Sequence, residues 1–89
     1  MLDKTVVIRN KLGLHARAAV KFVNLANRYR CEITVEKDGE TVEAKSILGL
    51  LLLAAAQGSQ LVIRCAGDGE DEAIAALVGL VNDKFGEGE

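Results

Sequence analysis

The chain has 89 residues, of which 49% are hydrophobic and 27% are charged, and it contains no proline. This length fits one small domain and the apolar content is too high for a disordered chain, so we expect a single domain over residues 1–89. The net charge of −2 and the presence of only three aromatic residues argue against nucleic-acid binding, which uses a basic surface and stacking rings.

Two further features bear on where the protein works. The longest uncharged apolar run, residues 47–56, is well short of the ~20 residues that a membrane-spanning helix needs, and the first residues do not resemble a secretory signal. We therefore expect a cytoplasmic protein that does not insert into membranes. Cys31 and Cys65 form no CxxC-type pair, which favours buried reduced thiols over a metal or redox role.

The first half of the chain alternates between strand and helix patterns. A β-branched segment predicts a strand over residues 5–8, and apolar residues at helical spacing predict an amphipathic helix from Ala16 to about Tyr29. Strict alternation predicts a strand over residues 32–36. The Asp38-Gly39 pair is typical of a type I′ turn, which leads to a strand over residues 41–44.

The second half repeats the alternation. Ser46 can cap a helix over residues 47–56, with Gly58 placed to end it, and residues 61–65 form a β-rich strand. A last helix begins near Glu70, and we expect residues 86–89 to fray. The order βαββαβα predicts an α+β protein with helices covering one face of an antiparallel or mixed sheet. The ferredoxin-like fold has the same order, so a small regulatory module that binds a ligand or another protein remains an alternative.

His15 is the only histidine, and it precedes the first predicted helix. The N–H groups and positive dipole end of a helix N-terminus stabilise anions, and Arg17 adds a permanent charge beside them. A neutral imidazole nitrogen can accept a phosphoryl group near pH 7. Residues 1–30 carry seven basic side chains and one acidic one, which favours an anionic group or an acidic partner.

Other interpretations of this region are weaker. His15 can be an ordinary polar residue near a helix end, and Arg17 an ordinary surface charge. A zinc site lacks nearby ligands in the sequence, so we expect neither a metal nor another cofactor. A serine hydrolase built on Ser46 or Ser59 would need a G-x-S-x-G turn, which the chain does not have.

Two segments together resemble a known family. Residues 12–19, Leu-Gly-Leu-His-Ala-Arg-Ala-Ala, resemble the active-site signature of the HPr family of phosphocarrier proteins, and residues 44–50, Ala-Lys-Ser-Ile-Leu-Gly-Leu, resemble the second conserved segment of that family. The resemblance covers nearly the whole chain in the same element order. It implies an open-faced β-sandwich, in which a four-stranded antiparallel sheet has three helices on one face.

The resemblance also implies a function. His15 would take a phosphoryl group from the phosphohistidine of enzyme I, itself charged by phosphoenolpyruvate, and pass it to an enzyme IIA component. In this family the acceptor atom is Nδ1 and the arginine at the Arg17 position neutralises charge. The phosphate-binding backbone would be that of Ala16, Arg17 and Ala18. The protein would be a monomeric phosphotransfer intermediate rather than a free-standing enzyme.

The sequence departs from the family at Ala18, where proline is usual. Proline is tolerated in a first helical turn, and alanine there restores an N–H while loosening the turn, so we expect His15 still to function. The serine matching Ser46 is phosphorylated by a dedicated kinase in some relatives, which makes Ser46 a candidate regulatory site beside its role as a helix cap.

The resemblance also implies a docking surface on the first two helices. A ten-residue apolar helix cannot bury every side chain, so part of the second helix should be exposed. The candidate partner contacts are Ala16, Arg17, Val20, Lys21, Leu48, Leu51 and Leu52. The leucine-rich second helix and residues 73–78 look more like NPr, the carrier of the nitrogen-related phosphotransferase branch, than like a sugar-uptake HPr.

Overall fold

The computed structural model describes residues 1–87 and contains four strands and three α-helices in the predicted order. The elements are β1 (Leu2–Val7), α1 (Ala16–Ala26), β2 (Glu32–Lys37), β3 (Glu40–Glu43), α2 (Ile47–Leu52), β4 (Gln60–Ala66) and α3 (Glu70–Asn82). A short 3₁₀ helix, Lys84–Gly86, follows α3.

The four strands form one fully antiparallel sheet in the order β1-β4-β2-β3. Register places Val6 opposite Leu61 and Val35 opposite Ile63, and all four side chains are buried. Arg64, one residue beyond Ile63, points to the opposite face because strand side chains alternate. There its guanidinium donates a hydrogen bond to the Glu36 carboxylate at 2.6 Å. The sheet therefore has one apolar face, which the helices cover, and one polar face.

The hairpin between β2 and β3 confirms the predicted turn. Asp38 and Gly39 both have positive φ, 51° and 86°, as a type I′ turn requires. Lys37 and Glu40 form the last strand pair before the turn.

The core lies between the apolar sheet face and the helices. From the helices it includes Phe22, Leu50 and Leu77, none of which is more than 1% exposed. Both cysteines are also buried, and burial together with the neighbouring Cys31 thiol raises the pKa of Cys65 to about 11. A thiol in this state is a poor nucleophile.

Two predicted helices end earlier than the sequence pattern indicates. Helix α1 stops at Ala26 because the next turn tightens: the N–H of Arg28 donates to Leu25 and that of Tyr29 donates to Ala26. Helix α2 ends at Leu52 rather than residue 56. Ala54 has a positive φ of 50°, which turns the chain out of the helix.

The end of the described chain is ordered rather than frayed. Phe85 is fully buried although it and Lys84 both adopt left-handed backbone angles, with φ of 54° and 57°. The Lys21 ammonium donates a hydrogen bond to the Phe85 carbonyl at 2.7 Å. The prediction that residues 86–89 fray is therefore wrong for Gly86 and Glu87, while residues 88–89 lie outside the described part of the chain.

Candidate functional site

His15 lies at the N-cap of α1, as the sequence predicts. Its backbone is extended, with φ of −83° and ψ of −179°, and its carbonyl accepts the N–H of Ala19 at 2.8 Å. The ring nitrogen Nδ1 faces the first helical turn and accepts a hydrogen bond from the Arg17 N–H at 3.3 Å. The side chain is 27% exposed, so a partner can reach the ring from solvent.

The loop before His15 is held by Ala55, which lies in the segment after α2. The N–H of Leu14 donates to the Ala55 carbonyl at 2.8 Å, and Leu14 is buried. Gly13 has φ of 70° and its backbone lies so close to Ala55 that a Cβ there would clash. The early end of α2 thus fixes the position from which His15 enters α1.

The other phosphate-binding candidates occupy the first turn of α1. Ala16 and Arg17 are exposed, while Ala18 is fully buried beneath the turn. The N–H groups of a first turn have no intrahelical acceptor, so they are available to an anion on His15.

Arg17 borders a basic depression next to His15. The depression is about 490 Å³ in volume and is lined by Lys11, Leu12, Arg17, Lys21, Gly86 and Glu87. Three of these side chains are cationic, and among residues 1–87 the Arg17 guanidinium forms no ion pair. The depression therefore presents positive charge beside the imidazole.

Sequence reasoning missed one residue of the site, Glu87. Its carboxylate contacts His15 Nε2 through one oxygen and accepts a hydrogen bond from Asn10 Nδ2 at 2.9 Å through the other. Partial burial raises the pKa of Glu87, but the hydrogen bonds from Asn10 and His15 and the charge of Lys21 outweigh it, and the pKa falls below the usual 4.5. The contact joins residues 72 positions apart, and no local pattern predicts it.

Ser46 caps α2 as predicted. Its hydroxyl accepts a hydrogen bond from the Gly49 N–H at 3.0 Å. A Cβ at position 49 would lie 3.2 Å from that hydroxyl and 3.3 Å from Val42, so glycine there makes room for the cap. The side chain of Ser46 is half-buried.

The proposed docking residues lie on the exposed sides of α1 and α2. Leu48 and Leu52 are 68% and 67% exposed, Leu51 and Val20 are less so, and Ala16 and Lys21 are also exposed. The structure adds Leu12 and Ile47, which are exposed as well. We call the set Leu12, Val20, Ile47, Leu48, Leu51 and Leu52 the apolar surface. Exposed apolar residues on packed neighbouring helices are typical of a protein-contact site.

Residues 1–87 contain no cluster of three or more His, Cys, Asp or Glu side chains that could hold a metal ion. Within the same residues, no helix is long and apolar enough to cross a membrane. The fold and the site define a small open-faced α+β protein with an accessible histidine at a helix N-terminus, bordered by positive charge and an apolar surface.

Comparison with known proteins assigns this class to a family. The family described as "PTS HPr component phosphorylation site" matches residues 2–83. A phosphocarrier protein HPr of Pseudomonas aeruginosa is 51% identical over 85 residues, which cover 94% of each chain. The chain belongs to the HPr family of phosphocarrier proteins of the phosphotransferase system.

Solved structures agree with this assignment. The crystal structure of HPr-C-His from Thermoanaerobacter tengcongensis superposes with a TM-score of 0.96 at 47% identity, over the full length of both chains. The fold predicted from the sequence, a four-stranded antiparallel sheet with three helices on one face, is therefore confirmed. A crystal structure of an HPr dimer from the same organism matches with a TM-score of 0.79 at 48% identity, covering 98% of this chain and all of the other. The preference for the NPr branch remains a prediction.

Proposed function

We propose that this phosphocarrier accepts a phosphoryl group on Nδ1 of His15 from enzyme I and passes it to an enzyme IIA component. The observation that carries the proposal is the orientation of the ring. Nε2 is occupied by the Glu87 carboxylate, whereas Nδ1 faces the N–H of Arg17 in the first turn of α1. A phosphoryl group on Nδ1 would lie at the electropositive end of the helix.

The chemistry of the step balances without another reactant. The Nδ1 lone pair of His15 attacks phosphorus as the N–P bond of the protonated donor phosphohistidine breaks, and the donor leaves as neutral imidazole. The proton on Nε2 of His15 stays in place, so the product is a phosphoimidazolium ring. Transfer to the IIA component reverses this step, with a side chain of the acceptor as the new nucleophile.

Arg17 and the backbone of Ala16, Arg17 and Ala18 would stabilise the transferred group. Charge stabilisation by oriented donors is a large contribution to group transfer, and these donors belong to a helical turn that is already formed. The N–H of Arg17 already points at the reacting nitrogen. Its exposed guanidinium supplies a charge that the helix amides cannot.

The apolar surface and Lys21 would form the contact with both partners in the cytoplasm. Acidic partners match the basic depression, and the leucines supply area that a docking partner can bury. Ser46 is a candidate target of an HPr serine kinase, since a phosphate there would lie at the first turn of α2 and next to this surface. We propose that the carrier acts as a monomer, which light scattering of the purified protein would test.

The test of the function is phosphorylation in vitro. The protein is incubated with enzyme I and phosphoenolpyruvate, and intact mass spectrometry measures an acid-labile phosphoryl adduct. We expect one adduct on the wild type, none on His15→Ala, and slower formation on Arg17→Ala than on the matched surface variant Arg28→Ala. An adduct that persists in His15→Ala would contradict the site, and a wild type that is never phosphorylated would favour the non-catalytic interaction module.

A further inference from the structure

Glu87 bridges two side chains from distant parts of the chain. One carboxylate oxygen accepts from Asn10 Nδ2 at 2.9 Å, and the other contacts His15 Nε2. The Glu87 side chain is only 14% exposed, half the exposure of His15. Such a carboxylate is a defined partner of the imidazole rather than a mobile surface charge.

The surrounding structure holds Glu87 in this position. The buried Phe85 ring anchors the segment two residues earlier, and the Lys21 ammonium binds the Phe85 carbonyl at 2.7 Å. Asn10 is itself buried and fixed, because its amide also donates to the Gly13 carbonyl at 2.7 Å. The left-handed backbone at Lys84 and Phe85 is unfavourable for residues that carry a side chain, and these contacts offset that cost.

Two contacts indicate which nitrogen of the His15 ring carries the proton. An ionised carboxylate only accepts hydrogen bonds, so Nε2 carries the proton where it meets Glu87. The Arg17 N–H donates to Nδ1, which must then carry the lone pair. Glu87 and the helix thus select the same tautomer from opposite sides of the imidazole.

We propose that Glu87 is a positioning residue for phosphoryl transfer, which orients the His15 ring and stabilises the positive charge that the ring gains when Nδ1 is phosphorylated. This inference rests on the proposed function of His15. A carboxylate that holds the distal nitrogen of a reactive histidine has the same task in hydrolase triads, where it fixes the tautomer and stabilises the imidazolium. The carboxylate never touches the transferred group.

The charges facing the pair favour this role. Arg17, Lys21 and Lys11 line the adjoining depression, and all three would disfavour a positive ring if Glu87 were absent. Glu87 is the acidic residue lining that depression. Removing its charge therefore leaves the phosphorylated imidazole among cations.

The test combines kinetics with a measurement of the ring itself. Glu87→Ala and Glu87→Gln are compared with Glu72→Gln, a matched change at an exposed glutamate in the first turn of α3. We expect Glu87→Ala to slow phosphorylation by enzyme I about tenfold in kcat, with little change in KM, as loss of an orienting partner does. The Glu87→Gln rate should be intermediate, because Asn10 and His15 contact different oxygens of Glu87 and glutamine has only one acceptor oxygen.

Nitrogen-15 NMR of neutral His15 reports the tautomer without any phosphotransfer partner. Glu87→Ala should lower the fraction with the proton on Nε2, and Glu72→Gln should leave it unchanged. An unchanged kcat or an unchanged tautomer fraction in Glu87→Ala would overturn the proposal. The NMR measurement needs no phosphotransfer, so it tests the effect of Glu87 on the His15 ring even if the wild type is not phosphorylated. A failure of this inference can therefore be distinguished from a failure of the proposed function.

Discussion

The backbone of Gly13 lies so close to Ala55 that a Cβ on Gly13 would be 2.5 Å from the Ala55 carbonyl oxygen. That oxygen accepts the Leu14 N–H, so the contact ties the loop before His15 to the segment after α2. The family-like segment that holds His15, residues 12–19, is therefore physically coupled to the chain that follows α2.

Gly13→Ala should destabilise the protein by about 2–4 kcal/mol, because the new methyl group must displace the Ala55 backbone and alanine disfavours positive φ. Urea unfolding measures the loss. Gly58→Ala is the matched control, since Gly58 also has a positive φ, 90°, but open space around its Cβ position. Equal losses in the two variants would show that conformation alone, and not the close approach, requires glycine at position 13.

Ala18→Pro should keep or raise stability, by up to about 1 kcal/mol, and should phosphorylate at least as fast as the wild type. The N–H of residue 18 falls in the first turn, where it has no intrahelical acceptor. Ala19→Pro is the contrasting change, because the Ala19 N–H donates to the His15 carbonyl and its loss should cost about 3 kcal/mol. Enzyme I kinetics and thermal melts of both variants check this; a wild type that is inert while Ala18→Pro is active would show that alanine impairs the site.

Ser46→Ala should cost about 1 kcal/mol, because the Gly49 N–H loses its hydroxyl acceptor. For a domain of this size the melting temperature should fall by roughly 4–8 °C. Ser59→Ala serves as control, since the structure uses the backbone of Ser59 rather than its hydroxyl. If calorimetry gives the same melting temperature for Ser46→Ala and the wild type, the cap does not stabilise α2.

Leu48→Glu should raise the KM for enzyme I several-fold while leaving kcat and the melting temperature close to wild type. Leu48 is 68% exposed, so the folded protein loses little, but a partner that buries this leucine would have to bury a charge. Steady-state phosphorylation measures the effect against Thr41→Glu, an equal charge change on exposed β3. An unchanged KM would place the enzyme I contact away from α2.

Acid should release Glu87 from His15. The pKa of Glu87 is lowered in the folded protein, so its contribution to stability is present above the unfolded value of 4.5 and is lost as pH falls through the lower folded value. The difference in melting temperature between the wild type and Glu87→Gln should therefore shrink as the pH falls below 4.5. A difference that stays constant to lower pH would mean that the carboxylate charge does not stabilise the fold.

Local pattern predicts the order of the strands, the hairpin and the start of each helix, because spacing, caps and turn residues act over a few positions. The first strand differs, since β1 spans Leu2–Val7 rather than residues 5–8. Asp38 and Gly39 specify their turn, and Ser46 specifies the start of α2. The end of α2 is different: a run of leucine and alanine continues to residue 56, yet Ala54 leaves the helix so that Ala55 can bind Leu14. A tertiary contact overrides helix propensity there.

The residues of the candidate site also differ in whether the sequence alone can identify them. His15 and Arg17 can be identified from their place in one helical turn. Glu87 cannot, because its partners Asn10 and His15 are brought to it by the path of the whole chain. Glycine and acidic residues from position 86 onward are typical of a fraying segment, and the structure instead shows Phe85 buried and Glu87 bonded to Asn10 and His15.

The polar face of the sheet provides a place to attach a label far from the helices. Asp3 and Thr34 flank Arg64 in register, on the side that carries no helix. A fluorophore or biotin attached through a cysteine at exposed position 3 would point away from the imidazole and the leucines. When the protein is immobilised through this label on a sensor chip, the imidazole and the leucines would face the solution and remain accessible to a binding partner.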